Sequence, residues 1–413
     1  MLLTFSLCLA LSISFVFSST LVSAQILEVW TFVNTHARFF RALAEDFEKM
    51  HGVRVNVQEI QSAVLWDRLN IALQTGLGAP DLVDIEQGAF GRFLKGTIGL
   101  EPLNPFLERE NLFDAIAEGR QALYTSGGQV YGLEHALTPV VLYYRWDIFA
   151  DAGVETPLQT WDDYITAGKK IRAFDPDRYM APLPPFEVLL RQRGGDIFDV
   201  DGNLIADNEM AIDTLQWVLD TRFVHDITTA PPADAELWAA VNQGVYATLI
   251  GADWYAGFIK DNAADTEGKW MAQPLPTWEP GGRNTSTWGG TGLAITKFTK
   301  DKNLAWEFVK FAQLNVESAI LRYQLTNLYP PLKAAWGDPR LEDPDPFFNG
   351  QRLGVLFAEV GANVPPQYNT AYTPEWNNLW SNKYYPEVVD GRMGPAEALR
   401  AAAQEVRRLM SGN

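Results

Sequence analysis

The chain has 413 residues, room for two or three domains of ordinary size, and its 33 Lys and Arg against 51 Asp and Glu leave a formal net charge of −18. An acidic surface repels nucleic acid and anionic lipid, which need basic side chains to release their counterions, so polyanion-binding roles are excluded at the outset. With 14 Trp and only 4 His, the composition favours stacking on flat apolar faces over acid–base or metal chemistry.

The first 24 residues carry no charge and hold Cys8, the one cysteine of the chain. Leu2 to Phe17 is apolar enough for the core of a signal peptide, and Val22-Ser23-Ala24 offers small residues where a signal peptidase reads. Residues 1–24 are therefore read as a signal peptide and Gln25 as the mature start. A retained membrane anchor is the weaker reading, because the segment is rich in Ser and ends on Ala. The mature chain then has no cysteine, which excludes disulfides and thiolate metal sites, and an exported, soluble, periplasmic protein is expected.

Leu27 to Phe32 reads as a strand, and Arg38 to Met50 as a helix with Phe40, Leu43, Ala44 and Phe47 on one face and Gly52 as its stop. Val53 to Val57 alternates with period two, a helix follows over Leu65 to Leu77, and a strand over Asp81 to Ile85. Strands alternating with helices predict a largely parallel sheet covered on both faces, with ligands at the strand carboxyl ends. Those ends are polar and aromatic here: Trp30, Phe32, Asn34, Thr35 and His36 after the first strand, Glu86, Gln87 and Phe90 after the third. The first turn lacks the glycines that a nucleotide pyrophosphate requires. The β-type run from Val130 to Arg145 is long enough to cross between lobes. Beyond it, Thr160 to Asp163 reads as a capping box opening a second α/β region. That region continues with helices near Asn208 to Phe223 and Asp234 to Asn242, a strand at Tyr246 to Ile250, a loop from Pro274 to Arg283, a strand within Trp288 to Ile295 and a helix near Lys302 to Leu314.

Local strings at Phe93 to Gly96 (FLKG), Val130 to His135 (VYGLEH), Thr160 to Tyr164 (TWDDY), Pro274 to Trp278 (PLPTW) and Gly289 to Gly292 (GGTG) carry, in their order and spacing, a likeness over essentially the whole mature chain. The chain resembles the extracytoplasmic sugar-binding proteins of bacterial ABC importers, the maltodextrin-binding type, and most of all those for arabinose-type oligosaccharides. The resemblance implies an α/β, two-lobed periplasmic-binding-protein fold of type II, with the ligand cleft between lobes and no cofactor. It implies lobes made of 25–137 with 289–328 and of 138–288 with 329–413, joined by crossings near Ala136 to Thr138, Ser286 to Gly290 and Asn327 to Pro331. It also implies a monomer that takes a neutral oligosaccharide, arabinose-type first and galactosides or xylo-oligosaccharides next, and passes it to membrane permease subunits.

Family members stack sugar rings on a Trp in a strand-to-helix turn and on a Trp in a C-terminal segment, which correspond to Trp254 in Gly251-Ala-Asp-Trp and to Trp376 in Thr373-Pro-Glu-Trp. The physical need is general: sugar rings carry C–H patches that pack on aromatic faces, and hydroxyls that carboxylates and amides bond. Trp30, Phe32, Asn34, His36, Glu86, Gln87, Glu134, Asp253, Trp288 and Gly289 complete the candidate ligand-binding set, while Trp217, Trp238 and Trp306 fall in helical patterns and read as core. Asp199 to Asn203 reads as a hairpin turn rather than a calcium loop, since Met210 stands where the bidentate Glu belongs. The rival class is a secreted glycoside hydrolase, which needs two carboxyls about 5–9 Å apart; Glu86, Glu134 or Asp253 are its candidates.

Overall fold

The computed structural model describes residues 25–412; the proposed signal peptide lies outside them. Eight strands build two main sheets: β1 Ile26–Thr31, β2 Arg54–Glu59, β3 Leu82–Glu86, β4 Leu133–Glu134, β5 Val140–Arg145, β6 Thr248–Ala252, β7 Trp270–Pro274 and β8 Thr291–Ile295. The first sheet runs β2-β1-β3-β8-β4, the second β6-β5-β7. In the first, β1 pairs in parallel with β2 and β3, and β8 runs antiparallel to β3 and β4. The second is antiparallel throughout these pairs, so the largely parallel arrangement expected from the sequence holds only for β1 with β2 and β3. Alternation of strands and helices in sequence does not specify direction where the chain re-enters a sheet after building the other one, as it does at β8.

Local chemistry accounts for the boundaries. The helix Asn34–His51 buries Phe39, Phe40, Leu43 and Phe47, and it stops where Gly52 adopts φ 67°, a left-handed conformation that costs glycine little. It begins four residues earlier than the periodicity predicts, since β1 ends at Thr31 and the chain turns at once. Thr160 and Asp163 form the predicted reciprocal capping box at the head of Trp161–Phe174. Asp199 Oδ1 accepts from the backbone N–H groups of Asp201 and Asn203, and Gly202 has φ 81°, which makes this segment the hairpin turn expected.

The run 130–145 divides as its length implied. Leu133–Glu134 belongs to the first sheet and Val140–Arg145 to the second, so the chain passes from one sheet to the other through 135–139. Three crossings lie side by side. Val140 N–H donates to Ser286 O (3.1 Å), Leu137 N–H to Tyr329 O (2.8 Å), and the Thr138 and Thr287 hydroxyls lie 3.0 Å apart. Thr138 and Asn327 both have positive φ, 53° and 60°. For a β-branched residue such as Thr138 that conformation is uncommon, and the surrounding bonds hold it.

Candidate functional site

The carboxyl ends of β1 and β3, the crossing at Trp288 to Gly290 and the head of the helix Asp253–Asn262 converge on a cavity of about 250 Å³. Its aromatic wall is Trp254, Phe258 and Trp288 from one side and Phe32 from the other. Trp254 meets Trp288 and Phe258 edge-on, with ring centroids 5.4 and 5.3 Å apart, and its indole N–H donates to Trp288 O at 3.0 Å. Both Trp254 and Trp288 are half-buried, so faces remain for a ligand. Gly289 lines the same wall with φ 73°, and a Cβ there would sit 3.5 Å from Trp254 Nε1.

Polar groups in this cavity fall into two kinds. Glu86 lines it and is half-buried, one oxygen capping the turn at Gly88 N–H (2.8 Å). Burial pushes its carboxyl up to about 7, against the pull of the Gly88 and Ala89 N–H groups. His36 lines the cavity too, but Nδ1 is held 3.0 Å from Asp84 Oδ2, and its ring stacks on His135 at 4.4 Å. Asp84 is fully buried; burial opposes its ionisation, yet His135 and His36 hold it well below the usual carboxylate range. The same burial takes His135 down to about 4.

His36, Asp84 and His135 present donor atoms within 4.8 Å of one another, a spacing that could hold a cation. Those atoms already bond one another, with His135 Nε2 at 2.7 Å from Asp84, and the buried Arg322 guanidinium stands 3.3 Å from His135 Nδ1. A cation would break these bonds beside a fixed positive charge, so the cluster reads as a supporting network behind the cavity wall.

Other candidate contacts are bonded within the frame, and of these Glu134 also lines the cavity. Glu134 is completely buried; one oxygen accepts from Thr291 N–H (2.7 Å) and His135 N–H (3.0 Å), the other pairs with Arg120 (2.8 Å). Asp253, equally buried, accepts from its neighbour Trp254 N–H and from Tyr329 N–H of the third crossing, both at 2.8 Å. Burial raises the Glu134 carboxyl and pushes Asp253 up to about 7. Gln87 lies in the seam where the lobes meet, its Oε1 accepting from Gln367 (2.7 Å) and Asn369 (2.9 Å).

Two tryptophans of the candidate set are buried in packing outside the cavity lining. Trp376, 1% exposed, stacks on Trp380 at 5.6 Å and donates to Glu187, deep in the second lobe's core. Trp30, 4% exposed, is covered by the Arg68 guanidinium 4.4 Å from its ring. Asn34 is exposed and borders a neighbouring hollow together with Trp238, which is half-buried rather than core. The residue that sequence reasoning missed is Arg120. Only 3% exposed, it donates to Glu134, to the Thr287 hydroxyl (3.0 Å), to Gly289 O (3.0 Å) and to Ala136 O (3.2 Å), tying two crossings together. Gly290 packs over this ion pair so closely that a Cβ would fall 2.2 Å from Arg120 Nη2.

The raised Glu86 carboxyl has a sign that can be tested. A folded-state value of about 7 against an ordinary 4.5 means stability from this group is fully present below about 4.5 and lost as pH rises through about 7. Glu86→Gln keeps an acceptor for Gly88 N–H and removes the titration. Melting temperature of the variant minus that of the parent should therefore climb between pH 4.5 and 7; a flat difference would mean that the carboxyl titrates as an exposed one.

Among the described residues no helix is long and apolar enough to cross a membrane. A family model for the bacterial extracellular solute-binding proteins matches residues 34–316. The chain is 31% identical over 400 residues to the arabinooligosaccharide-binding protein of Halalkalibacterium halodurans, across 92% of this chain and 88% of that one. It is 28% identical over 402 residues to the arabinooligosaccharide-binding protein of Bacillus subtilis, across 92% of each. Among solved structures it superposes on the ABC transporter-associated binding protein of B. animalis subsp. lactis, in complex with beta-1,6-galactobiose, with a TM-score of 0.78 at 20% identity, over 93% of this chain and 97% of that one. Maltose-bound MalE3 of T. maritima gives 0.77 at 20% identity, over 94% and 100%. The structural likeness speaks for the two-lobed fold, and the family match together with the sequence relatives speaks for descent: this chain belongs to the bacterial extracellular solute-binding protein family.

Proposed function

We propose that the protein is an exported, monomeric receptor for a neutral oligosaccharide of arabinose type, which it delivers to the membrane permease subunits of an ABC importer. The observation that carries this reading is the cavity itself: aromatic faces from both lobes, one half-buried carboxyl, and no unpaired basic group among its lining residues to call for an anion. Trp254, Trp288 and Phe32 are proposed as stacking faces, with Glu86, His36 and the backbone at Gly289 as hydroxyl partners. The names of the two sequence relatives support an arabinose-type ligand, and galactosides or xylo-oligosaccharides rank next.

The lobes 25–137 with 289–328, and 138–288 with 329–413, are proposed as the moving bodies, which the separate membership of β1–β4 with β8 and of β5–β7 supports. A sugar bonded by both lobes favours the closed arrangement only through its extra affinity for it. The contacts of Gln87 with Gln367 and Asn369, and of Lys95 with Glu375, close the seam on one side of the cavity. No chemistry is proposed. A hydrolase needs two carboxyls free to act on the glycosidic oxygen and the anomeric carbon, whereas Glu134 and Asp253 are occupied by Arg120 and by backbone N–H groups.

A thermal-shift screen of 25–413 against plant oligosaccharides, followed by chromatography of the bound sugar, tests both halves. A preferred ligand at 100 times its dissociation constant should add about 2.7 kcal/mol of stability and be recovered intact. Silence across arabino-, galacto- and xylo-oligosaccharides, or steady cleavage of the sugar, would overturn the proposal.

A further inference from the structure

Asp84 is a charged residue in the middle of a buried strand. Side chains alternate along β3: Val83 and Ile85 pack into one apolar cluster, whereas Leu82, two residues before Asp84, packs on the other face with Phe39 and Phe40 of the helix Asn34–His51. An apolar residue would suit the place that Asp84 takes, yet a wholly buried carboxyl stands there, one hydrogen bond behind the cavity wall at His36. We infer that Asp84 is a positioning residue for ligand binding: it holds His36 in the tautomer that carries its proton on Nδ1, so that Nε2 meets the ligand as an acceptor and selects a hydroxyl that donates. The inference rests on the oligosaccharide-receptor reading above and adds the polarity of one hydrogen bond to it.

The protons can be assigned from groups that have no choice. Arg322, in the helix Val316–Thr326, can only donate, and its Nη1 lies 3.3 Å from His135 Nδ1, so that nitrogen is an acceptor. Gln313 agrees. Its Oε1 accepts from Arg322, which leaves its amide nitrogen, 3.3 Å from the same His135 Nδ1, as a donor. That amide nitrogen also lies 3.2 Å from His135 Nε2, but Nε2 has its own bond, 2.7 Å to Asp84 Oδ1. His135 therefore carries its proton on Nε2 and gives it to Asp84. The other carboxylate oxygen, Oδ2, receives the Thr31 hydroxyl at 2.8 Å and faces His36 Nδ1 at 3.0 Å. The two histidines keep Asp84 ionised, an ionised carboxylate only accepts, and so the proton of His36 is on Nδ1.

Among the described residues this is the only side-chain hydrogen bond of His36. Nε2 lies across the ring from it, with its lone pair left for the cavity that the ring lines. The plane of the ring is fixed from two further sides, by stacking on His135 at 4.4 Å and by the edge-on contact with Phe32 at 6.1 Å. Orientation and tautomer are thus both set before a ligand arrives, as when a buried carboxylate orients a working imidazole in an enzyme.

Asp84→Asn tests the inference, because an amide can satisfy this network in one orientation only. With Arg322 still fixing His135 as donor, the amide oxygen must take the place of Oδ1 and the amide nitrogen that of Oδ2, which reverses His36 to the Nε2–H tautomer. Nitrogen-15 long-range correlation spectra of the imidazole rings at neutral pH should show His36 protonated on Nδ1 in the parent and on Nε2 in the variant. Affinity for linear arabinotriose, by titration calorimetry, should fall about tenfold in Asp84→Asn. In a His36→Ala background the same substitution should change affinity less than about twofold, since a residue that acts through His36 then has nothing to position. Melting curves on all four proteins establish that they are folded. The parent spectrum needs no variant: a His36 protonated on Nε2, or on both nitrogens, overturns the inference even if Asp84→Asn does not fold. An equal loss of affinity in both backgrounds also overturns it and leaves the receptor reading intact. Absence of arabinotriose binding by the parent would instead count against the arabinose-type receptor, and the tautomer of His36 would still decide for or against Asp84.

Discussion

Replacing Arg120 by Met should lower folding stability by about 3–5 kcal/mol, the cost of leaving a buried carboxylate without its partner. Arg120 is 3% exposed and Glu134 wholly buried, so water cannot replace the lost pairing. The guanidinium also satisfies Ala136 O, Gly289 O and the Thr287 hydroxyl, groups of two different crossings, and Met satisfies none of them. Denaturant melts of parent and variant measure the loss. In the double variant Arg120→Met with Glu134→Gln the stranded charge disappears while an acceptor for Thr291 N–H remains, and about half of the loss should return. A single-variant cost below about 1 kcal/mol, the scale of a surface ion pair, would remove Arg120 from its role as the tie between crossings.

This tie holds the crossings between the two sheets together as one belt. The crossings carry polar groups in bonds to one another and to Arg120, Glu134 and Asp253. The two carboxylates that the sequence presents as candidate acids are the bolts of that belt. Their raised pKa values follow from burial in it and carry no implication of catalysis, although perturbed carboxyls in a cleft are often read that way.

What was legible in the sequence is what local chemistry determines. The strand over Ile26–Thr31, the stop at Gly52, the capping box at Thr160 and the crossing within 130–145 each follow from a few adjacent residues. The convergence of Phe32, His36, Glu86, Trp254, Trp288 and Gly289 on one cavity follows from the rule that α/β lobes present ligands at strand carboxyl ends. What was not legible depends on which faces the far chain covers. The pairing of Glu134 could not be read, because Arg120 and Thr291 are brought to it from 14 residues before and 157 after. Arg120 itself sits in a short charged helix, Glu118–Ala122, that reads as solvated surface. Trp376 left a signal that was available: Trp380, one helical turn on, shares its face, and two large rings at that spacing read more naturally as a packed pair than as a free platform.

Trp254→Ala should weaken binding of the preferred oligosaccharide about 30- to 150-fold. A Trp side chain in full contact buries about 150–250 Å², and half of that against a sugar ring, at about 25 cal/mol per Å², is worth roughly 2–3 kcal/mol. The structure adds a second consequence. Because the indole is half-buried, donates to Trp288 O and packs edge-on against Trp288 and Phe258, its removal should also cost about 1–2 kcal/mol of stability, short of the 3–5 typical of a fully buried Trp. Trp254→Phe separates the two contributions: it keeps an apolar face for the sugar but has no N–H for Trp288 O. If stacking dominates, Phe restores most of the affinity while the melting temperature stays below that of the parent. If Trp254 acts mainly by holding Trp288 in place, Phe and Ala lose affinity alike, and the platform must be assigned to Trp288. Titration calorimetry and melting curves on the three proteins give both readouts, and a variant that melts early but binds with undiminished affinity would remove Trp254 from the site altogether.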